Sequence, residues 1–396
     1  MPQEKKEEME RSFDAIVLGL GAMGSAATYQ LASRGASVLG IDQLKPPHEL
    51  GSTHGDTRIT RIACGEGPEY SPFAKRSHEI WRDIESRTGR DLLTQNGLLV
   101  ISGKGQRAAG HENPEFLRTT VAAADQAKIR YEILDGKTIR ERFPVFNVND
   151  DDEAYFDKVS GFVRPESCVE AQLQLAATSG AMLRFYEKVL KFEPDGDGVQ
   201  VTTGVSTYRA KKLIITAGPW INQVLGLDRQ FSITRQVLYW FGLKNQHQYP
   251  EFLPERLPVY IWQLPAPQSI YGFPLIGHPE QGVKIATEQY VDATTPDTVR
   301  RSVFPDEITR MFRTYVGPFF PGLDETCVKT KVCLYTCVKN ARFIIDRHPD
   351  MKNVIIASPC SGHGFKHSAA VGETLAQMAL GQSHLDVSKF SFSGVI

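Results

Sequence analysis

The stretch Asp14-Ala-Ile-Val-Leu-Gly-Leu-Gly-Ala-Met-Gly24 decides the fold: a short apolar run leads directly into the pattern G-x-G-x-x-G. The run has the length and composition of a buried strand. Glycines at these spacings allow a tight turn, close approach of a pyrophosphate and close packing of a helix on the strand. A helical stretch over residues 25–33 and a second strand over residues 37–42 complete a β-α-β unit of about 30 residues. Asp42 ends that strand, where it can accept hydrogen bonds from a ribose. The dinucleotide site predicted from this unit comprises Gly19, Gly21, Ala22, Met23, Gly24 and Asp42.

The composition suits a globular chain of one large unit or two domains. Of its 396 residues, 41% are hydrophobic and 23% are charged, and the formal net charge is -1. This balance predicts neither a nucleic-acid partner nor a membrane surface. The six cysteines form no C-x-x-C pair and no zinc-type spacing, so we expect no metal site and a reducing, cytoplasmic location. Residues 1–10, dense in Lys and Glu, are expected to be a disordered tail rather than a signal peptide.

The rest of the chain alternates between two kinds of region. Residues 72–85, 165–178 and 365–380 read as helices, and short apolar strands are predicted at 213–218, 343–346 and 353–357. Aromatic residues and prolines increase over residues 223–327, where strands alternate apolar and polar positions, as is typical of an antiparallel sheet with one wet face. We therefore predict a mixed fold, α/β plus α+β. Its Rossmann-type domain comprises residues 11–92, 156–222 and 328–390, and an inserted substrate domain on an antiparallel sheet comprises residues 93–155 and 223–327.

Four further segments occur in order along the chain: Gly51-Ser-Thr-His-Gly-Asp-Thr-Arg-Ile-Thr-Arg61, Lys331-Val-Cys-Leu-Tyr-Thr336, Phe343-Ile-Ile-Asp346 and Ser361-Gly-His-Gly-Phe-Lys366. The set resembles the monomeric sarcosine oxidase family of flavoproteins, which includes N-methyltryptophan oxidase and pipecolate oxidase. The similarity runs over nearly the whole chain, from about residue 13 to residue 392. It implies that the Rossmann-type domain binds FAD. It also implies oxidation of a secondary or N-methyl amino acid by hydride transfer to the flavin, hydrolysis of the imine, and reduction of O2 to H2O2.

The resemblance further implies that the flavin is joined through its 8α-methyl group to Cys333. Chemically, a thiolate attacks an electrophilic carbon derived from that methyl group. The residue type alone favours a small buried hydrophobe. Cys337 lies four residues on, outside the matched position. The other positions implied to contact the cofactor are Ser52, His54, Thr57, Arg58, Ile59, Val189, Ala217, Gly218, Gly362, Gly364, Phe365 and Lys366.

The resemblance assigns roles to several ionisable residues. Arg61 and Lys366 match the two cations that hold the substrate carboxylate, for which a guanidinium and an ammonium are well suited. Lys284 matches a lysine over the flavin, where a fixed positive charge would stabilise superoxide as it forms. The strand alternation places Lys284 on the face opposite Val283 and Ile285. His363 is either a catalytic base or a hydrogen-bonding partner of the flavin.

Two positions depart from the family pattern. Glu288 stands where sarcosine oxidases carry an active-site histidine, and Cys64 stands where they carry a pocket tyrosine. A carboxylate in the pocket would attract a cationic group and repel a second carboxylate unless the two shared a proton. Sarcosine itself is therefore in doubt as the natural substrate. The alternative is that Glu288 pairs with a nearby cation and does not meet the substrate. Tyr271 and Trp262, the latter together with Tyr260, are expected to line the substrate pocket.

Three alternative functions remain open. One is a dehydrogenase or demethylase of the same fold that uses another acceptor, which Lys284 argues against. Another is an oxidase of glycated amino acids. The third is a flavin-binding subunit without turnover, which the retained Arg61, Cys333 and Lys366 make improbable. The expected partners are a small amino acid and O2, and we expect a monomer or weak dimer.

Overall fold

The computed structural model describes residues 12–103, 115–264 and 269–392, so the tail predicted for residues 1–10 lies outside the described residues. The strands are β1 Ser12–Leu18, β2 Val38–Ile41, β3 Arg58–Thr60, β4 Leu93–Thr94, β5 Leu98–Gly103, β6 Tyr131–Asp135, β7 Asp152–Asp157, β8 Gly161–Val163, β9 Met182–Arg184, β10 Val189–Asp195, β11 Gly198–Thr203, β12 Thr207–Ile215, β13 Ser232–Leu243, β14 Val259–Gln263, β15 Ile270–Gly272, β16 Val283–Thr287, β17 Ala293–Thr294, β18 Leu323–Cys337, β19 Ile345–Arg347 and β20 Val354–Ala357. The α-helices are α1 Ala22–Ala32, α2 Ser71–Thr88, α3 Phe116–Ala127, α4 Gly136–Arg142, α5 Pro165–Thr178, α6 Ile221–Leu225, α7 Pro305–Met311 and α8 Ser368–Leu380.

The first sheet is built around β1, which lies between β12 and β2 and is parallel to both. β9 and β20 extend the parallel part, while β10, β11 and β19 pair antiparallel at its periphery. Helix α1 connects β1 to β2 and packs against α5 and α8. It begins at Ala22, three residues before the predicted start, because the glycine turn itself forms the N-terminus of the helix, with Gly21 as the N-cap residue. The predicted β-α-β unit is therefore confirmed.

Two glycines of this unit occupy positions that no larger residue fits. Gly19 has a φ of +86°, in the left-handed region. A Cβ on Gly24 would lie 1.7 Å from the Gly19 carbonyl oxygen and 2.6 Å from Oγ1 of Thr216. Helix α8 packs similarly close to α1, because a Cβ on Gly372 would lie 2.2 Å from Cβ of Ala26. The helices thus pack close to the sheet and to each other, as the third glycine of the motif predicts.

The second sheet is largely antiparallel, with the strand order β17-β13-β16-β15-β14-β5-β7-β6 and with β18 paired to β13. Among the described strands of this second sheet, only β14 and β5 pair in parallel. One face of this sheet packs a core that contains Val283, Ile285, Tyr260, Trp262 and Phe320. The opposite face carries a small cluster of Leu238, Trp240, Ala286 and Cys333. A parallel-rich sheet beside an antiparallel one confirms the predicted fold class.

Strand β18 is continuous along β13, from the pair Leu243–Leu323 to the pair Ser232–Cys337. It runs across the boundary expected between residues 327 and 328, so the limits of the two domains stay a prediction. The described helices do not include one with the length and apolar character required to span a bilayer.

Candidate active site

The larger of two adjoining cavities, about 460 Å³ in volume, opens beside the carboxyl end of β1. Helix α1 begins here with Gly21 as its N-cap, and within the described residues no side chain caps it. Its first amide groups and the positive end of the helix dipole are therefore available to a phosphate. The predicted cofactor residues that line this cavity are Gly19, Gly21, Ala22, Met23, Asp42, Ser52, Arg58, Val189, Ala217, Gly218, Gly362, Gly364 and Phe365.

Asp42 is fixed at the end of β2 by two backbone amides. Leu20 donates its N–H to one carboxylate oxygen at 2.7 Å, and Leu44 donates to the other at 2.8 Å. Burial raises the pKa of the carboxyl group, although these two hydrogen bonds act in the opposite direction. The remaining lone pairs of a doubly held carboxylate suit the hydroxyl groups of a ribose.

The smaller cavity, of about 70 Å³, adjoins the larger one, because Arg58, Tyr335, Gly362 and Phe365 line both. It brings together side chains from distant parts of the sequence, between residues 58 and 366. Its wall contains the following residues that are predicted to contact substrate or flavin: Ile59, Arg61, Tyr271, Glu288, Cys333, His363 and Lys366. Gly24, in contrast, packs α1 against the sheet, as the motif requires.

A carboxylate that the sequence analysis missed lies between the two predicted substrate-binding cations. Glu66 Oε1 is 2.7 Å from Arg61 Nη2 and 3.2 Å from Lys366 Nζ. The side chains of all three are almost fully buried. Burial disfavours the charged guanidinium of Arg61, but the Glu66 carboxylate outweighs it and the pKa of Arg61 is raised. For Lys366, burial outweighs Glu66 and the pKa is lowered. Glu66 follows Arg61 by five residues between two glycines, a signal that is visible in the sequence but not specific.

His363 lies beside the same carboxylate. Its Nε2 is 2.9 Å from the Ala341 carbonyl oxygen, and its Nδ1 is 3.7 Å from Glu66 Oε1. Because a carbonyl oxygen only accepts, Nε2 carries the proton in this arrangement. The imidazole is stacked on Phe343, with ring centroids 4.6 Å apart. Of its two nitrogens, Nδ1 is therefore the one that points toward the cluster of charges.

Lys284 is buried on the face of β16 that the alternation predicts, opposite Val283 and Ile285. Its Nζ donates to the carbonyl oxygens of Gly55, at 2.7 Å, and Thr57, at 2.8 Å. It also lies 4.4 Å from the centre of the Phe273 ring, which lines the smaller cavity. Burial lowers the pKa of Lys284 well below its ordinary value, and the neighbouring charge of Arg58 acts in the same direction.

Cys333 lies on β18 with its sulfur facing Arg58. Nη2 of Arg58 donates to Sγ at 3.3 Å. Burial disfavours the thiolate, but the charges of Arg58 and of the nearby His54 outweigh it and lower the pKa of Cys333 to about 6. For Cys337, burial dominates and raises the pKa. Of these two cysteines, Cys333 therefore has the chemistry of a nucleophile at neutral pH.

Two residues expected in the substrate pocket lie outside the smaller cavity. Trp262 is in the core of the antiparallel sheet, where its ring meets Phe319 edge to face at 5.1 Å. Successive side chains of a strand point to opposite faces, so Ile261 lines the smaller cavity and Trp262 points away from it. Cys64 is fully buried in the core with Phe73, behind Arg61, and burial raises its pKa to about 11. Neither side chain lines the smaller cavity, so their place in the substrate pocket stays a prediction.

Comparisons with known proteins agree with this geometry. The sequence model of the family described as FAD dependent oxidoreductase (DAO) matches residues 14–378. Monomeric sarcosine oxidase from Streptomyces avermitilis is 40% identical over 374 residues, covering 94% of each chain. N-methyl-L-tryptophan oxidase from Yersinia pestis is 32% identical over 385 residues, covering 96% of this chain and 99% of the relative. The structure is also similar to that of NikD, described as an unusual amino acid oxidase, with a TM-score of 0.81, 26% identity and coverage of 96% and 97%.

Proposed function

This chain belongs to the DAO family of FAD-dependent oxidoreductases, and we propose that it oxidises a secondary or N-methyl amino acid with O2 as the electron acceptor. The resemblance predicted from the sequence is thereby confirmed. The chain is an FAD-dependent oxidase of the sarcosine oxidase kind, which acts on CH–NH bonds. The observation that carries the proposal on substrate is the buried pair Arg61 and Lys366 in the wall of the smaller cavity, which adjoins the larger one.

Two buried cations side by side are suited to hold a carboxylate. An ammonium and a guanidinium are costly to bury, so an anion is needed to compensate them. In this structure Glu66 provides that compensation. A substrate carboxylate that binds both cations has to take the place of the Glu66 oxygen. The proposed binding step is therefore an exchange of one carboxylate for another, and the amine end of the substrate is left facing the larger cavity.

The residues of the larger cavity fit FAD. The glycine turn and the start of α1 suit the pyrophosphate, and Asp42 suits the ribose. When bound, FAD supplies the acceptor for a hydride and the donor that reduces O2. The chain itself binds and orients the substrate and excludes water from the reacting atoms. Water then hydrolyses the imine product.

We assign two further roles to residues beside the flavin position. Cys333 is the proposed attachment point, since Arg58 holds its sulfur as a thiolate. Lys284 is the proposed oxygen-activating residue, since two backbone carbonyl oxygens hold its amino group in a buried position next to the smaller cavity, where its protonated form would stabilise superoxide. Both assignments are also implied by the family resemblance.

The proposal is tested by anaerobic bleaching of the purified holoenzyme. Sarcosine, an apolar N-methyl amino acid and a cyclic secondary amino acid would each be mixed with oxidised enzyme, and the flavin absorbance would be followed. We expect at least one of them to bleach the flavin, and admission of air to restore the colour with one H2O2 formed per flavin. The methyl ester of the active compound, which lacks the carboxylate, should bleach far more slowly. Bleaching that air does not reverse would indicate another electron acceptor, and absence of bleaching by every secondary amine would refute the proposed substrate class.

A further inference from the structure

We propose that Glu288 determines substrate specificity by binding a cationic group on the side chain of the amino acid substrate. The inference rests on the proposed function and extends it to a substrate class. That class is secondary or N-methyl amino acids that carry a second positive charge, such as an ammonium or guanidinium, at the far end of the side chain.

The position of Glu288 in the strand register is the first argument. It follows the end of β16, and its N–H donates to the Ser269 carbonyl oxygen at 3.4 Å. Lys284, Ala286 and Glu288 alternate along the chain, so they share one face of the sheet. That face carries Cys333 and looks toward the two cavities. Glu288 accordingly lines the smaller cavity.

The two ends of the smaller cavity differ in charge and depth. Arg61 and Lys366 are each 3% exposed and form its deep, positive end. Glu288 is only half-buried, and three residues further on Val291 is 88% exposed. The chain therefore reaches the surface at Val291, whereas Oε2 of Glu288 is still inaccessible to solvent. A substrate whose carboxylate is held at the deep end would direct its side chain toward this negative, outer end.

The wall around Glu288 is aromatic. Tyr271, Phe273 and Tyr335 line the cavity with it, and Tyr290 packs against Tyr335 with ring centroids 6.2 Å apart. Burial raises the pKa of Tyr271 to about 12, and the Glu288 carboxylate acts in the same direction. These rings are therefore neutral at physiological pH. Neutral aromatic faces beside a carboxylate are the surroundings that bind alkylammonium and guanidinium groups well.

The charge balance of the cavity supports the same ligand. A substrate carboxylate replaces Glu66 on Arg61 and Lys366, so that end of the site needs no second anion. The Glu288 carboxylate would repel a substrate with a carboxylate in its side chain and attract one with a cationic side chain.

The test compares two ligands that differ by one charged group. Nα-methyl-L-lysine and Nα-methyl-L-norleucine have side chains of similar length, and only the first ends in an ammonium. Their dissociation constants would be measured by calorimetry on holoenzyme whose flavin has been reduced with dithionite, so that no turnover occurs. Wild type, Glu288→Gln and Glu280→Gln would be compared. Glu280 is a matched control, since its side chain is 81% exposed near the start of the same strand.

We expect wild type and Glu280→Gln to bind the lysine derivative about tenfold or more tightly than the norleucine derivative, and Glu288→Gln to lose that preference. An unchanged ratio in Glu288→Gln would overturn the inference, as would loss of the preference in Glu280→Gln as well. Oxidised wild-type enzyme is tested with sarcosine in parallel. Bleaching by sarcosine without a preference for the cationic ligand refutes this inference alone, whereas failure of every secondary amine to bleach the flavin refutes the proposed function with it.

Discussion

Replacing Arg58 with methionine should slow covalent attachment of the flavin to Cys333. The guanidinium donates to Sγ at 3.3 Å, and a unit charge at that distance stabilises a thiolate by about 5 kcal/mol at an effective dielectric constant of 20. That energy corresponds to between three and four pKa units. The pKa of Cys333 is lowered from 9.0 to about 6 even though burial acts in the opposite direction.

The expected size of the effect follows from the fraction of thiolate. At pH 7.5 a thiol with a pKa of about 6 is about 97% ionised, whereas one with the ordinary value of 9.0 is about 3% ionised. Complete return of the thiol to its ordinary pKa would slow attachment by about thirtyfold. Loss of Arg58 should give an effect of up to this size, because His54 still lowers the pKa while burial raises it. In wild type the rate should rise with pH up to about 6 and then level off, because the thiolate is present above its pKa. In Arg58→Met the rate should still be rising above pH 8.

The assay starts from apoprotein made under riboflavin limitation. FAD is added, samples are quenched in acid at intervals, and the flavin fluorescence of the protein band is measured after denaturing electrophoresis. Total bound flavin is measured separately by gel filtration, so that weaker binding of FAD is not mistaken for slower attachment. Arg58→Lys keeps the charge and should retain most of the rate. Cys333→Ser should form no acid-stable flavin, whereas Cys337→Ser should behave as wild type.

The reasoning is refuted if Arg58→Met attaches flavin at the wild-type rate and with the wild-type pH dependence. In that case the charge of Arg58 does not activate the thiol. A colourless acid pellet from wild-type holoenzyme would refute the covalent link itself.

Two further perturbations test other parts of the structure. Lys284→Met should slow reoxidation of reduced flavin by O2 about a hundredfold while changing its reduction by substrate much less. In wild type, reoxidation should slow as the pH rises toward the lowered pKa of Lys284, because the lysine loses its positive charge above that pKa. Stopped-flow measurements with substrate and with O2 give the rates of the two half-reactions separately. Gly372→Ala should lower the free energy of unfolding by about 3 kcal/mol, because the new Cβ would lie 2.2 Å from Cβ of Ala26. Gly204→Ala, where a Cβ meets nothing within 4 Å, should change it by no more than about 0.5 kcal/mol in the same urea titration.

Features that depend on local sequence were the ones that could be predicted. The turn at Gly19 and the packing at Gly24 follow from a short motif whose physical requirements are all within one β-α-β unit. The orientation of Lys284 and Glu288 follows from the alternation of side chains along a strand, which does not depend on what packs against the strand.

Features that depend on distant parts of the chain were missed or could not be placed. The expectation that Trp262 lines the pocket rests on its aromatic side chain, which does not tell whether the residue faces a cavity or the core of the sheet. Glu66 was missed because its role depends on Lys366, 300 residues away. No pattern around Glu66 shows that two cations will converge on it. Its burial between them is a property of the assembled fold.

The position of Cys333 has a consequence for how the cofactor is retained. The glycine turn proposed to bind the phosphates belongs to the parallel sheet, whereas Cys333 is on β18 of the antiparallel sheet. If FAD is joined to Cys333 as proposed, it is tethered to one sheet while its other end binds to the other. If the parallel sheet opens locally, the dinucleotide stays at a high effective concentration and rebinds as part of the same molecule. Dilution would then not cause loss of the cofactor. The rate of rebinding would depend on how fast the sheet closes again and not on the concentration of free FAD.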